Sequence, residues 1–266
     1  MVETRDGACG CGVRWRKMYL EGKDPVGSKR LSTTMNRSKI FKAFVILANV
    51  VVISCALSVG VSSGEPGVAF KEHALATHFS VLQLGMCALA SGLSLCFVLF
   101  SSTKKGLWEC LFWVALVAGF AFAALDELFM YHERLDKTIH ALLSIKQTPW
   151  TDRFDDLIVG LYVGLGTWLV LMSSKIDSFL DQSKHLFVWG FTVAFVMVGL
   201  DLLTNGRDFM AWLFGQDLGL FLRTWLSILE DCLKLVAVAI FLIGLAQNAD
   251  LLWSKSRLVG PQVDDE

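Results

Sequence analysis

The chain has 266 residues, of which 54% are hydrophobic and 18% charged, with a formal net charge of -1 and a mean hydropathy of +0.54. That balance is too apolar for a water-soluble domain, and several uncharged or nearly uncharged runs approach bilayer length, so composition selects an integral membrane protein. Lipid admits only helices or closed barrels, and a barrel would need short alternating segments, so the expected fold is all-α: a polytopic membrane helix bundle of about six transmembrane helices.

Residues 1–42 read as a basic tail with ten Lys or Arg: Arg5, Arg14, Arg16, Lys17, Lys23, Lys29, Arg30, Arg37, Lys39 and Lys42. It is polar and without helical periodicity, which predicts a largely disordered segment with a short interfacial stretch around Trp15 to Leu20. Cys9 and Cys11 form C-G-C, which lacks the two-residue spacing of a zinc or redox pair. No recognition module accompanies the basic residues, so they read as a topology signal beside anionic lipid, with no nucleic-acid partner. The first span is expected at 43–62. It starts after some forty polar residues, a pattern of an anchor and not of a cleavable leader.

The second span, 76–101, carries His78 at its outer start, near Glu72 and His73. The third, 107–130, ends in Asp126 and Glu127, which follow AFAALD with no polar break. Desolvation there demands a partner, which makes both candidate catalytic or network residues. The helix is expected to continue through DELFMYHERLDKTIH, placing Asp126, Glu133 and His140 within about 40° on one face. Asp126 and Glu133 would be about 10 Å apart along the axis, too far to share one ion. Glu133, Asp136 and His140, or His132, Asp136 and His140, are closer sets, and carboxylate plus imidazole suits zinc, iron or manganese. Glu133 with Lys137 is also an i, i+4 ion pair, as on a solvated face.

The fourth span, 155–173, opens with Asp152 and Asp155 at the spacing of an N-cap and its first turn, while Asp156 is placed to face inward beside Tyr162. The fifth, 186–204, contains Asp201 with no basic neighbour at i±3 or i±4, so its partner must come from another helix, or it is protonated. RDFMAWLFGQDLG is too short to span and mixes aromatics with charge, as an interfacial or re-entrant segment does. In the sixth span, 222–246, both Glu230 (i+4) and Asp231 (i+3) can reach Lys234, which compensates only one of them. The surplus negative charge calls for a cation, a shared proton or a partner such as Arg223. The transmembrane domain then covers 43–253, followed by a short cytoplasmic tail over 254–266.

Orientation follows from charge. With six spans, 16 of the 24 basic residues fall on one side, which the positive-inside rule assigns to the cytoplasm, so both termini are cytoplasmic. The acids show the opposite bias, with 14 of 25 in the outer loops or outer halves of spans. Cys55, Cys87, Cys96, Cys110 and Cys232 fall inside spans as small apolar packers. Gly160 with Gly164 and Ala115 with Gly119 suit close helix packing. No internal repeat, P-loop, dinucleotide fingerprint or G-x-S-x-G elbow is present.

The motifs LDE-x4-HE, Asp126 to Glu133, and ED-x2-K, Glu230 to Lys234, resemble a pattern in uncharacterised bacterial multi-pass membrane proteins. That resemblance implies a bacterial inner-membrane location and carries no activity with it. Alkaline ceramidases and their relatives are similar in general outline, combining Asp, His and a bundle, but their His-x3-His pattern is absent here. Two functional classes follow from the residues. In one, a divalent metal held by His78, His132, Glu133, Asp136, His140, Asp156 and Asp231 activates water or oxygen against a lipid or other amphiphile, with Asp126, Glu127, Asp201 and Glu230 as catalytic acids. In the other, the same carboxylates form a cation or proton site in a transporter. A non-catalytic scaffold, its polar network fixing helix packing, is the third expectation.

Overall fold

The computed structural model describes residues 25–71, 73–100, 106–143, 154–179, 181–204 and 207–258, with the side chains at 25–37, 132, 133, 136, 143, 154–159, 182, 207–209 and 255–258 outside the description. Among the described residues every regular element is helical: α1 (Pro25–Ser63), α2 (Leu75–Phe100), α3 (Leu107–Phe129), α4 (Tyr131–Leu143), α5 (Phe154–Met172), α6 (Asp181–Thr204), α7 (Arg207–Phe214) and α8 (Gln216–Leu258), with single 3-10 turns at Val68–Phe70 and Ser173–Lys175. Among the described residues, four segments are long and apolar enough to cross a membrane: Ser38–Ser63, Val68–Phe100, Leu107–Phe129 and Ser183–Thr204. The expected spans at 155–173 and 222–246 coincide with α5 and with the middle of α8.

The chain divides between Ile40 and Phe41 into two units. Of the segment expected as a basic tail, residues 25–42 lie in α1 and residues 1–24 lie outside the described residues. Pro25 at the first helical position fits that start, because its missing N–H would have no partner there in any case. In the second unit, α1 buries the narrow stripe Val45, Asn49 and Ala56 and leaves Leu47, Val50 and Val51 exposed.

Side-chain contacts give the register of the larger unit. Gly92 of α2 lies against Val117 of α3, and the chain order makes these two helices antiparallel. Helices α2 and α8 run parallel: Ala76 shares a cluster with Ile228, the Cys87 thiol is 3.8 Å from the Val238 carbonyl, and Phe97 meets Trp253 edge-on at 5.2 Å. Helix α6 is antiparallel to α8, with Phe187 and Phe241 rings 5.3 Å apart and Thr204 beside Glu230. Helix α5 joins α6 through Gly166 and Phe191 and α3 through Phe122 and Tyr162.

At one end of the bundle Phe112, Trp113, Phe179, Phe187 and Phe241 form a chain of tilted and edge-on ring contacts with centroids 5.0 to 5.9 Å apart. Each such pair adds about 0.5–1.5 kcal/mol beyond area burial. Elsewhere the pattern of a soluble protein is inverted. Leu89 and Trp189 are 71% and 64% exposed, while Ser80, Ser91, Ser94 and Asn248 are at 0%. An apolar exterior over a partly polar interior is what hydrocarbon solvent selects.

Two junctions depart from expectation. Helix α3 does not run on past residue 130: Met130 is left-handed (φ 53°, ψ 49°) and its N–H bonds the Asp126 carbonyl as a C-cap before α4 starts. The common face drawn through Asp126, Glu133 and His140 assumed one continuous helix, and this break removes it. The segment after α6 forms α7, then reverses at Gly215 (φ 83°) into α8. Gly219 lets α7 fold back onto α8, since a Cβ there would come within 2.5 Å of the Met210 carbonyl oxygen.

Candidate functional site

The acids at the ends of α3 and α6 meet those in the first half of α8. The Lys234 ammonium lies 2.8 Å from Glu127 Oε1 and 3.1 Å from Asp231 Oδ1, and the side chains are only 27%, 19% and 17% exposed. The Asp231 contact follows from i, i+3 spacing within α8. The Glu127 contact is tertiary, and it joins the two short motifs, one from each helix, through a single lysine.

Glu230 takes a different hydrogen-bond partner, while still feeling the Lys234 charge. Thr204 Oγ sits 3.4 Å from Glu230 Oε2 and 3.3 Å from the Asp201 carbonyl, so its one proton serves one of them at a time. Asp201 and Asp231 both lie close enough to repel the Glu230 charge. Arg223, read as a possible counter-ion for an acid, donates from Nε to the Thr204 carbonyl at 2.9 Å. It thereby caps the C-terminus of α6, where the helix dipole favours a cation. Asp126 is 7% exposed and acts electrostatically on Tyr162 of α5.

Five carboxylates, Asp126, Glu127, Asp201, Glu230 and Asp231, thus occupy one level of the bundle, with Lys234 bridging two of them. Helix register brings two more polar side chains to this level. Counting along α2 from the Gly92–Val117 contact puts Gln83 level with Asp126, and counting from Cys87–Val238 puts it level with Lys234 and Ser80 level with Asp231. Gln83 is 3% exposed and Ser80 0%. Gln83 Oε1 and Ser80 Oγ have no hydrogen-bond partner among the described residues.

Of the seven expected metal ligands, His78, His140 and Asp231 have described side chains. His78 is exposed, its Nδ1 donating to the Ala74 carbonyl at 2.9 Å within its own helix. His140 is buried on α4, beyond the Met130 break. The side chains of His132, Glu133, Asp136 and Asp156 lie outside the described residues. Among the described residues no three His, Cys, Asp or Glu side chains stand close enough to hold a metal ion.

Sequence reasoning passed over Thr204, Ser80 and Gln83. Thr204 had one signal, its i+3 spacing from Asp201. Ser80 and Gln83 had only their buried phase on α2, three residues apart, which reads equally well as ordinary packing.

At the opposite end of the bundle, Ser178 is held on all sides. Its N–H donates to Glu109 Oε1 at 3.0 Å, Trp113 Nε1 donates to its hydroxyl at 2.8 Å, and Asn248 Nδ2 donates to its carbonyl at 3.1 Å. The connection between α5 and α6 is thereby pinned to α3 and α8, with Glu109 itself 8% exposed.

No curated protein and no solved structure matches the chain. Residues 40–247, which include all the described acids of the cluster, match a domain of unknown function, DUF8692. Over more than three quarters of its length the chain belongs to the DUF8692 family.

Proposed function

We propose that this is a multi-pass protein of a bacterial inner membrane, with six spans and both termini in the cytoplasm, whose acidic cluster below the outer surface takes up a proton or a small cation. The four long apolar helices support a membrane location, with α5 and α8 supplying the remaining spans and 16 of 24 basic residues setting the direction. Helix α7, with Trp212 79% exposed, suits the interface at the outer end. Lipid is the surrounding partner, and nucleic acid has no place in this reading.

One observation carries the functional half: a single lysine is shared by Glu127 and Asp231, while Glu230, its carboxylate beside the Thr204 hydroxyl, lies within range of the Asp201 and Asp231 charges. Like charges in a medium of low dielectric repel strongly, so a proton or cation that cancels one of them is bound with the energy of that relief. Carboxylates with a hydroxyl and no described imidazole form the donor set of a proton or hard-cation site, as in transporters and pumps. A divalent-metal enzyme acting on an amphiphile draws on His132, Glu133, Asp136 and Asp156, whose side chains lie outside the described residues.

The test is the melting temperature of the purified full chain in lipid nanodiscs, measured against pH and against sodium, potassium, magnesium and calcium. Lower pH or one of the cations should raise it in the wild type. Asp201→Asn and Glu230→Gln should fold normally and lose most of that response. A wild type indifferent to pH and to every cation refutes the reading.

A further inference from the structure

We infer that protons cross this bundle along the buried face of α2, between the outer acidic cluster and Glu109 at the other end. The inference rests on the proton-site reading above and extends it from uptake to conduction.

Ser80, Gln83, Ser91 and Ser94 are 0%, 3%, 0% and 0% exposed, and with Cys87 between them their spacing of three or four residues keeps them on one side of α2. Ser94 donates to the Ala90 carbonyl at 3.2 Å. Ser80 Oγ, Gln83 Oε1 and Ser91 Oγ are enclosed and have no partner among the described residues. Orphaned polar atoms are rare in folded interiors and mark positions where internal water or a mobile proton completes the hydrogen bonding.

The row has an acid at each end. Ser80 and Gln83 stand level with Asp231, Lys234 and Asp126 by helix register. Below Ser94, the parallel packing of α2 on α8 leads to Asn248, whose amide donates to the Ser178 carbonyl, and the Ser178 backbone N–H donates to Glu109 Oε1, which fixes the acid at this end. From Ser80 to Ser94 is about 21 Å along the axis, some two thirds of a ~30 Å hydrocarbon core. Small hydroxyl side chains also let helices pack closely. Packing alone does not account for Gln83, a long amide buried at 3% with its oxygen unanswered.

In transfer, a water or serine hydroxyl takes a proton from one side and releases another to the next, so each proton received at the cluster is matched by one delivered toward Glu109. The Gln83 and Asn248 amides and the Ser178 backbone orient water and are not themselves protonated, so internal water carries the proton between Ser94 and Glu109.

The experiment is proton flux into liposomes holding the full chain, read with an entrapped pH dye under a potassium diffusion potential set by valinomycin. Wild-type protein should conduct well above protein-free vesicles. Gln83→Leu should cut the flux at least tenfold, and so should Ser91→Ala, a change of one oxygen that keeps the packing. Both should retain the pH response of the melting temperature, which separates failure of the path from failure of the acidic site. Wild-type flux at the protein-free level, or full flux in both variants, overturns the path and leaves the acidic-site reading to its own test.

Discussion

Replacing Lys234 by Met tests whether the acidic cluster is organised as the structure has it. The ammonium is the common partner of Glu127 at 2.8 Å and Asp231 at 3.1 Å. Met preserves the bulk of the aliphatic stem, so the change removes charge and hydrogen bonds with little loss of packing. Two carboxylates less than a fifth exposed are then left facing each other without a cation, and Glu230 and Asp201 stand beside them. Breaking a buried pair from one side costs about 3–5 kcal/mol. Because Lys234 keeps 27% exposure, the lower end, about 3 kcal/mol, is expected. Glu127→Gln and Asp231→Asn should each cost only about 1 kcal/mol, since Lys234 retains its other acid. Reversible unfolding in mixed micelles measures all three, and the double variant Glu127→Gln, Lys234→Met should recover about 1–2 kcal/mol relative to additivity. A Lys234→Met protein as stable as wild type, or strict additivity with Glu127→Gln, would refute the shared-lysine arrangement.

Three further outcomes are expected. In a background lacking native cysteines, a cysteine at Ser63 should react with an impermeant thiol reagent in intact cells and one at Ser174 should not; the opposite labelling would invert the topology and place the acidic cluster on the cytoplasmic side. Gly219→Ala should force α7 off α8, because the added methyl meets the Met210 carbonyl at 2.5 Å, and proteolysis between Thr204 and Gln216 should accelerate while a Gly85→Ala control, open around its Cα, stays resistant. Glu65 sits outside the apolar segments, and its hydrogen bond from Lys71, together with that positive charge, holds its carboxyl below the usual range. A depressed carboxylate contributes above its unfolded pKa and loses that contribution as pH falls through its folded value, so Lys71→Ala should raise the Glu65 titration midpoint by NMR while leaving melting at pH 7 unchanged, both partners being 65% exposed.

The reach of the sequence can be judged at particular residues. Asp126, Glu127, Glu230, Asp231 and Lys234 were legible because a charge inside an apolar run is costly and therefore conspicuous. That Lys234 could not compensate both acids on its own helix was legible too, from spacing alone. Which acids it takes was not: Asp231 and Glu230 are nearly equivalent along α8, and the choice falls to Glu127 arriving from α3, a matter of helix register. Met130 gave no warning, since methionine has no marked preference for a left-handed cap, and one such residue was enough to separate Asp126 from the histidine face beyond it.

Helical class and apolar runs near bilayer length are local properties, set by side-chain hydropathy and the need of each backbone group for a partner in lipid. They follow from the sequence by itself, as does the concentration of ionisable residues near span ends. The bridge from Glu127 to Lys234, the pinning of Ser178 by Glu109, Trp113 and Asn248, and the row of buried hydroxyls on α2 needed the tertiary structure. A serine or glutamine on an apolar helix has the same local pattern whether it packs against a neighbour or lines a polar path, and only the register of α2 against α3 and α8 brings Gln83 level with Asp126 and Lys234.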